Sequence, residues 1–468
     1  METDINNSRK KNVMFTKYAT KIGGANEREG ESKPLRGFVK FFFSFFLFAT
    51  LFFTVRSSVY AAIYCNDASY LNNCYVDGNA GSDTLNDGKT PTTAWQTIQK
   101  AATLLQPGDT VNVKGGITYN TLGSSNCSGN GSAVVCPVNS GSSGNQITYQ
   151  AWSGTGIPII DASGKQAGFH ANGKDYITIK GFEVKNAGGA NLWLNGGTAG
   201  IIASNNIVHS GNSIGIYVVD FSSGVKVYNN TVYNNGGDGI QYLCIGGTII
   251  KNNIVVGNSG NGIKKSAGTI SPNYNLVWNN TTNYSGVSAG ANDVSSDPFF
   301  LNASGNDFRI PATSPAKNAG VTLSEVVADI LGVSRPQGSA FDIGAYEYYD
   351  IPVTVVAVSS PTSNTKPTLT GTASTISGVS ISSISYSIDS SSWTSSGVTG
   401  TTSFSIVIPT ALSDGAHTIR VRATDSNGNV TDSSLYGSTV FTVDATAPVE
   451  QELLNQWYSF KRNWNMEG

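Results

Sequence analysis

The 468-residue sequence is poor in charge, because Asp, Glu, Lys and Arg make up only 13% of it, where about 25% is usual. Together with 53 glycines, this scarcity argues against a helical bundle or a coiled coil. A hydrophobic fraction of 39% still supplies apolar surface for sizeable cores, which argues against wholesale disorder. The formal charge of −2 becomes −7 once residues 1–61 are set aside, so we expect no nucleic-acid partner.

The sequence also lacks an apolar run of the usual length for a membrane span. The run from Phe41 to Val55 holds fifteen uncharged residues, whereas a spanning helix needs roughly 20. Basic residues precede it, and small residues follow near Ala61, which is the order of a secretory signal. We therefore predict that residues 1–61 are a signal peptide and that the protein is secreted or displayed at the cell surface. An uncleaved anchor is the alternative.

Cysteine and histidine are scarce, at five and three residues. Cys65 and Cys74 are nine residues apart, as are Cys127 and Cys136, and each pair encloses a short polar loop. In an exported protein the simplest assignment is two local disulfides, with Cys244 left as a buried thiol. No histidine lies near these cysteines in the sequence, which disfavours a zinc site.

What the sequence does contain is an internal repeat of 22 to 24 residues. Valines recur at positions 184, 208, 232, 255 and 277, and asparagines at 206, 230, 253 and 275. A second strand repeats at another phase, and its outward residues are Trp193, Tyr217, Gln241 and Lys264. Short strands of period two with Gly and Asn at the corners predict a parallel β-helix, in which stacked Asn side chains bond to one another. Helical repeats do not fit this pattern. The one clear helix pattern, Trp95 to Leu105, is predicted to cap the first coil.

Two parts of the chain resemble secreted right-handed parallel β-helix proteins similar to pectate lyases. Residues 75–119 and 144–163 are similar to their opening segment, and residues 297–320 and 329–348 to their closing segment. The resemblance implies a right-handed solenoid. It is specific for the fold and much less specific for an activity, since one fold hosts many functions.

A second all-β domain follows. From Tyr349 the composition shifts to Ser, Thr and Val with strand-like alternation, and residues 412–431 resemble bacterial Ig-like repeats, which implies an Ig-like β-sandwich. The predicted domains are a signal peptide (1–61), a β-helix (62–349) with an N-terminal cap (62–120) and a closing segment (297–349), an Ig-like sandwich (350–446) and an unassigned tail (447–468).

The outward ladder of the second strand is the place to look for chemistry. Trp193 and Tyr217 would stack on sugar rings, Gln241 would hydrogen-bond, and Lys264 would pair with a uronate carboxylate. The alternative is an ordinary exposed surface. Polysaccharide is the partner that this pattern favours.

Lys264 ends the stretch Gly260 to Lys264, which is similar to the Gly-Asn-Gly-Phe-Lys motif of family 9 polysaccharide lyases. That resemblance implies a catalytic base for β-elimination, assisted by Ca²⁺ held by carboxylates. The family's cluster of Asp residues is reduced here to Asp238, with Asp220 from the preceding coil as the second possible ligand. An exposed surface lysine is the alternative role for Lys264.

Glycoside hydrolysis is disfavoured because the repeated strands carry no close pair of acids. His170 and His209 fall in corner segments and are expected to be turn or surface residues. Asp77, Asp83 and Asp87 form an acidic loop that is a candidate structural calcium site, the alternative being side-chain caps of turns. Two functions stay open: a calcium-assisted lyase acting on an acidic polysaccharide, and a non-catalytic carbohydrate-binding or adhesion protein.

Overall fold

The computed structural model describes residues 72–446, except 130, 198 and 221–223, together with 456–459 and 461. The predicted signal peptide, Cys65 and most of the tail lie outside the described residues. Within the described part of the chain, no helix has the length and apolar character required to cross a membrane.

The first domain is a parallel β-solenoid, as predicted, and its coils form three faces. Face 1 consists of β4 (Ala133–Val135), β7 (Ala167–His170), β10 (Ala190–Asn195), β13 (Ile214–Asp220), the first parts of β16 (Ile240–Lys251) and β18 (Asn261–Ile270), and β20 (Thr282–Ser285). Face 2 consists of β1 (Asn73–Val76), β2 (Thr110–Val113), β5 (Ile147–Ala151), β8 (Ile177–Lys180), β11 (Ile202–Ser204), β14 (Val225–Tyr228) and the second parts of β16 and β18. Face 3 consists of β3 (Thr118–Tyr119), β6 (Ile159–Asp161), β9 (Glu183–Lys185), β12 (Ile207–His209), β15 (Thr231–Tyr233), β17 (Ile254–Val256) and β19 (Leu276–Trp278).

Alternation along each strand builds the core. Because successive side chains point to opposite sides of a strand, one aliphatic residue in two faces inward and stacks on its equivalent in the next coil. Leu192, Ile216, Ile240 and Ile263 form such a column on face 1, and all four are fully buried. The predicted helix is observed as α1 (Ile98–Leu104), with Thr97 as N-cap, and its buried side joins the same core.

Pairs of adjacent asparagines make the corner between faces 2 and 3. The first residue of each pair adopts a left-handed conformation, with φ of 52°, 51° and 58° at Asn205, Asn229 and Asn252. Asparagine tolerates this region better than most residues do. The second residue, such as Asn230, is fully buried and bonds to its equivalents in the coils above and below. The sequence predicted this stacking of asparagine side chains.

The closing segment runs along this same corner and covers face 3. The left-handed asparagines donate hydrogen bonds to its carbonyl groups, for example from Asn205 Nδ2 to the oxygen of Ala328 at 2.7 Å. Phe308 packs on Ile207, and Ile310 packs with Ile254. Face 3 is therefore not available to a large ligand. The segment also reaches face 2, where Tyr228 packs with Leu323 and Val326.

Two antiparallel sheets form the second domain, which agrees with the predicted Ig-like sandwich. One sheet contains β21 (Val353–Val355), β22 (Thr368–Ala373), β25 (Ser403–Val407) and β24 (Val398–Gly400), and the other contains β23 (Ile381–Ile388), β26 (Gly415–Asp425) and β27 (Gly437–Val443). The loop after β26 contacts the solenoid's closing segment, because Arg309 Nη1 donates to the oxygen of Asn427 at 3.2 Å and to Oδ1 of Asn429 at 3.0 Å.

One of the two predicted disulfides is observed, between Cys127 and Cys136. Cys74 is buried and takes part in a disulfide, but its predicted partner Cys65 lies outside the described residues, so that pairing stays a prediction. Cys244 lies in β16 and its side chain is outside the described part, so its predicted state as a buried thiol also stays a prediction.

Candidate functional site

The structure brings the predicted outward residues of face 1 into one straight ladder. The β-strand register pairs Trp193 with Tyr217, Tyr217 with Gln241, and Gln241 with Lys264. Their side chains therefore follow one another at the strand spacing of about 4.8 Å. The rings of Trp193 and Tyr217 are 5.5 Å apart at an interplanar angle of 55°. All four side chains are partly exposed, so the ladder is a continuous accessible row across four coils.

The ladder extends one coil further than predicted, to His170. This residue pairs with Trp193 in the strand register, and the two rings stack with centroids 4.9 Å apart and an angle of 27°. His170 is 1% exposed, and burial lowers the pKa of its imidazole to about 4. The ring is therefore neutral near neutral pH. Its Nδ1 accepts a hydrogen bond from the backbone N–H of Asn172 at 3.0 Å.

The expectation that both histidines are turn or surface residues is wrong. Each lies at the end of a strand and is buried, His170 on face 1 and His209 on face 3. His209 contacts Glu183 at 3.1 Å and the ring of Phe308, which belongs to the closing segment. Sequence position at a corner does not reveal such burial, because the covering residues come from a distant part of the chain.

A disulfide-bonded loop closes the ladder beside His170. Cys127 and Cys136 form a small buried cluster with Ala133 and Ala167, and Trp193 packs against this cluster. Trp193 Nε1 and His170 Nε2 are both buried without a hydrogen-bond partner among the described residues. The indole is thereby held by packing rather than by a hydrogen bond.

At the other end of the row, Lys264 forms an ion pair. Its Nζ lies 3.1 Å from Oδ2 of Asp238, while Oδ1 of Asp238 accepts bonds from the backbone N–H and the side-chain amide of Asn261 at 2.8 and 2.7 Å. The side chain of Asp238 is 10% exposed and that of Lys264 is 36% exposed. The carboxylate therefore fixes the position of the ammonium group.

The motif around Lys264 is partly a feature of the coil itself. Gly-Ile followed by an outward residue occurs three times in register, ending in Tyr217, Gln241 and Lys264. A Cβ at Gly262 would lie 2.5 Å from Val277 and 2.7 Å from the amide nitrogen of Asn280. The glycine is thus required by close packing against Val277 and Asn280. Only Asn261 and Lys264 distinguish this copy chemically from the copies that end in Tyr217 and Gln241.

The two acids predicted to bind calcium do not share one location. Asp220 ends β13 and pairs with Cys244 in the strand register, whereas Asp238 precedes β16. Six strand positions separate their places in the coil, which corresponds to about 20 Å. Both oxygens of Asp238 already contact Lys264 or Asn261. The residues present do not fit a calcium site at this position.

The acidic loop has protein partners for each carboxylate. Asp77 contacts Lys114 Nζ at 2.6 Å, Asp83 accepts bonds from the start of α1, and Asp87 accepts the Thr93 hydroxyl at 2.7 Å. These contacts agree with the alternative role as caps of turns. The described residues contain no group of three or more His, Cys, Asp or Glu side chains arranged to hold a metal ion.

Comparisons with known proteins agree with the two domains. Residues 153–302 match the family described as right handed beta helix region, and residues 357–445 match the bacterial Ig-like domain family. A solved structure of pectate lyase Pel9A is 18% identical, with a TM-score of 0.36, over 59% of this chain and 96% of that one. A complex of XylC with xylose is 15% identical, with a TM-score of 0.37, over 48% of this chain and 62% of that one. No curated protein matches the chain. The protein is a right-handed parallel β-helix followed by a bacterial Ig-like domain.

Proposed function

We propose that the protein binds an acidic polysaccharide along the face 1 ladder. The observation that carries this proposal is the unbroken register of Trp193, Tyr217, Gln241 and Lys264 across four coils. Aromatic rings supply flat apolar surfaces for sugar rings, the amide supplies both donor and acceptor for hydroxyl groups, and the ammonium group pairs with a uronate carboxylate. A linear polymer suits a linear row of such groups.

Export of the protein, which we also propose, would suit this function. The disulfide between Cys127 and Cys136 is typical of proteins that fold in oxidising compartments. The Ig-like domain is a compact module beside the solenoid and leaves face 1 accessible. We propose that the protein is secreted or held at the cell surface, with the predicted signal peptide 1–61 directing its export.

Cleavage by β-elimination is the second candidate function, favoured by the position of Lys264 on the ladder within the Gly-Asn-Gly-Ile-Lys stretch. A base must present its amine to the substrate, and the Lys264 Nζ is instead held by the carboxylate of Asp238 at 3.1 Å. No step is assigned to calcium, because the donor set at Asp238 does not fit it. Binding without cleavage is therefore the function that the geometry supports better.

One pair of measurements tests both candidates. The full chain is run by affinity electrophoresis in gels containing polygalacturonate or alginate, and the same mixtures are followed for ultraviolet absorbance of unsaturated uronate. We expect retardation in the gel that is lost in Trp193→Ala and Lys264→Ala, with no rise in absorbance. The exposed Lys366, changed to Ala, is the matched control and should leave retardation unchanged.

The opposite results are equally clear. Absence of retardation on both polymers, or retardation unaffected by Trp193→Ala and Lys264→Ala, contradicts the binding proposal for face 1. A rise in absorbance that Lys264→Ala abolishes and Lys366→Ala preserves would establish the lyase with Lys264 as base.

A further inference from the structure

Face 2 carries a second polar ladder that the proposed function does not use. The strand register places Asn112, Gln150, Lys180 and Ser204 next to one another on four successive coils. Their neighbours along each strand, such as Ile179, are buried in the core, so by alternation these four side chains point outward. Gln150 Nε2 donates to Asn112 Oδ1 at 2.8 Å, which orients both amides.

Gln150, Lys180 and Ser204 of this ladder line a cleft of about 460 Å³. The cleft is also lined by Trp152 and the turn that follows it, by residues 325–332 of the closing segment, and by Asn427 of the Ig-like domain. The size falls within the range of small-molecule sites, roughly 300–1,000 Å³. These three parts of the lining come from separated regions of the chain, so the cleft exists only in the folded protein.

Lys180 is the cation of this cleft, and it has no acid partner there. None of the ion pairs among the described residues involves Lys180, and burial lowers the pKa of its amine below the ordinary value. The two acids that line the cleft are engaged elsewhere, since Glu325 pairs with Lys226 and Asp329 accepts backbone hydrogen bonds. A partly buried ammonium group without a counter-ion gains from a bound anion.

The other lining groups indicate what kind of anion would fit. Trp152 offers an aromatic ring, held by the ring of Tyr75 with centroids 5.0 Å apart. Gln150 and Asn427 contribute neutral amides, whereas the amide of Asn205 is already bonded to Ala328 and Arg335. One positive charge matches the single charge of a carboxylate better than that of a phosphate, and an indole with two amides suits a ring bearing hydroxyl groups.

We propose that this cleft on face 2 is a second binding site, for a carboxylated sugar, in which Lys180 pairs with the carboxylate and Trp152 contacts the sugar ring. The site is separate from face 1, because its solenoid residues lie on face 2. It does not depend on the polysaccharide proposal, and a protein that fails to bind along face 1 can still bind here.

Lysine modification read by mass spectrometry tests the site residue by residue. The full chain is acetylated under limiting reagent in the presence of digalacturonate, neutral xylobiose or inorganic phosphate, and the rate is followed at Lys180 and at the exposed Lys366. We expect digalacturonate to slow modification of Lys180 about tenfold when saturating, and to leave Lys366 unchanged. Equal protection by phosphate, or protection by xylobiose, would overturn the assignment to a carboxylated sugar.

Calorimetry with variants gives the second readout. Lys180→Gln should weaken digalacturonate binding about tenfold or more, the loss expected for one charge-assisted hydrogen bond. Trp152→Ala should weaken it also, whereas Lys366→Gln should not. Lys264→Gln serves to separate the two sites: it removes binding on face 1 and leaves protection of Lys180 intact. If Lys180 is not protected in the unmodified chain, or Lys180→Gln binds as tightly as the parent, the proposal is wrong, whatever happens on face 1.

Discussion

The ammonium group of Lys264 lies 3.1 Å from the carboxylate of Asp238, which belongs to the preceding coil. The outward ladder of face 1 consists of Trp193, Tyr217, Gln241 and Lys264, and Lys264 is the one cation of these four. A carboxylate of the protein thus occupies the position that a uronate carboxylate would take on Lys264. The first prediction follows from this competition.

Removing the competing charge should strengthen binding of an acidic polysaccharide. In Asp238→Asn the side-chain oxygen can still accept the bonds from Asn261, so the turn is retained while the ion pair is lost. A partly exposed pair contributes about 0.5–1 kcal/mol, which corresponds to an affinity gain of about two- to fivefold. Affinity electrophoresis on polygalacturonate measures it. Asp444→Asn removes the same charge from an exposed position of the Ig-like domain and should change little; equal gains in both variants would point to net charge alone.

The buried asparagine ladder should be a large contributor to stability. Asn230 accepts bonds from the backbone and side chain of Asn206 and donates to Asn253. Replacing it by Ala leaves several buried polar groups unpaired, at about 1–3 kcal/mol each. We expect Asn230→Ala to lower the free energy of unfolding by about 3 kcal/mol or more in urea denaturation. The exposed Asn79→Ala should stay within about 0.5 kcal/mol of the parent.

The glycine of each Gly-Ile pair should resist substitution by Ala. A Cβ at Gly239, just before β16, would lie 2.5 Å from Val255 Cγ1 and 2.8 Å from the amide nitrogen of Asn258, whereas a Cβ at Gly247 within β16 meets no atom within 4 Å. We expect Gly239→Ala to cost about 1–3 kcal/mol of stability and Gly247→Ala to be nearly neutral, as judged by thermal unfolding. Similar losses in both variants would contradict the packing explanation.

Burial of a neutral His170 predicts a specific acid sensitivity. The pKa of His170 is about 4 in the folded protein and about 6.5 when unfolded. Since the folded pKa is depressed, the stabilisation is fully present above about pH 6.5 and is lost as the pH falls through 6.5 towards 4, by about 3 kcal/mol in total. The drop in melting temperature between pH 7.5 and pH 4.5 should be smaller in His170→Phe than in the parent.

His417 in the Ig-like domain provides the control of opposite sign. It bonds to the oxygen of Ser413 and to Asp389, and these contacts raise its pKa. Its contribution to stability is therefore present below its unfolded pKa of about 6.5 and lost as the pH rises through the folded value. Because that contribution exists only at low pH, His417→Gln should lower the melting temperature more at pH 4.5 than at pH 7.5. If both histidine variants shift the pH profile in the same direction, the assignment of either pKa shift is incorrect.

The disulfide beside Trp193 should stabilise both the fold and the ladder. It closes a loop between residues nine positions apart, for which chain entropy gives about 2.5 kcal/mol. The double variant Cys127→Ser with Cys136→Ser should lose about this much stability in urea. Because Trp193 packs against the same cluster, the double variant should also bind polygalacturonate more weakly. Loss of stability with unchanged affinity would show that the loop does not position Trp193.

Periodicity explains what could be predicted about the site. Residues such as Trp193 and Lys264 repeat at a fixed phase, and a parallel β-helix places equal phases in register, so the ladder could be derived without coordinates. The extra member His170 could have been found the same way, since it is 23 residues before Trp193. His170 was not included because it lies in a corner segment of the sequence, and that position suggested a turn rather than a strand.

Pairs of residues at different phases could not be placed by that reasoning. Asp220 and Asp238 are on neighbouring coils, and a sequence count does not reveal that they stand at opposite ends of the strand. The cleft around Lys180 depends on residues 325–332 and on Asn427, which lie far along the chain and follow no repeat.

The sequence by itself determined the solenoid, its second β domain and the row of outward residues on face 1. Each of these follows from local alternation and a repeat of 22 to 24 residues, and both are properties of a short stretch of chain. Only the tertiary structure decided that the closing segment covers face 3, that His170 and His209 are buried, and that Asp238 contacts Lys264. The physical reason is that these contacts join segments distant in the chain, whose burial and charge pairing depend on how the coils stack and what packs over them.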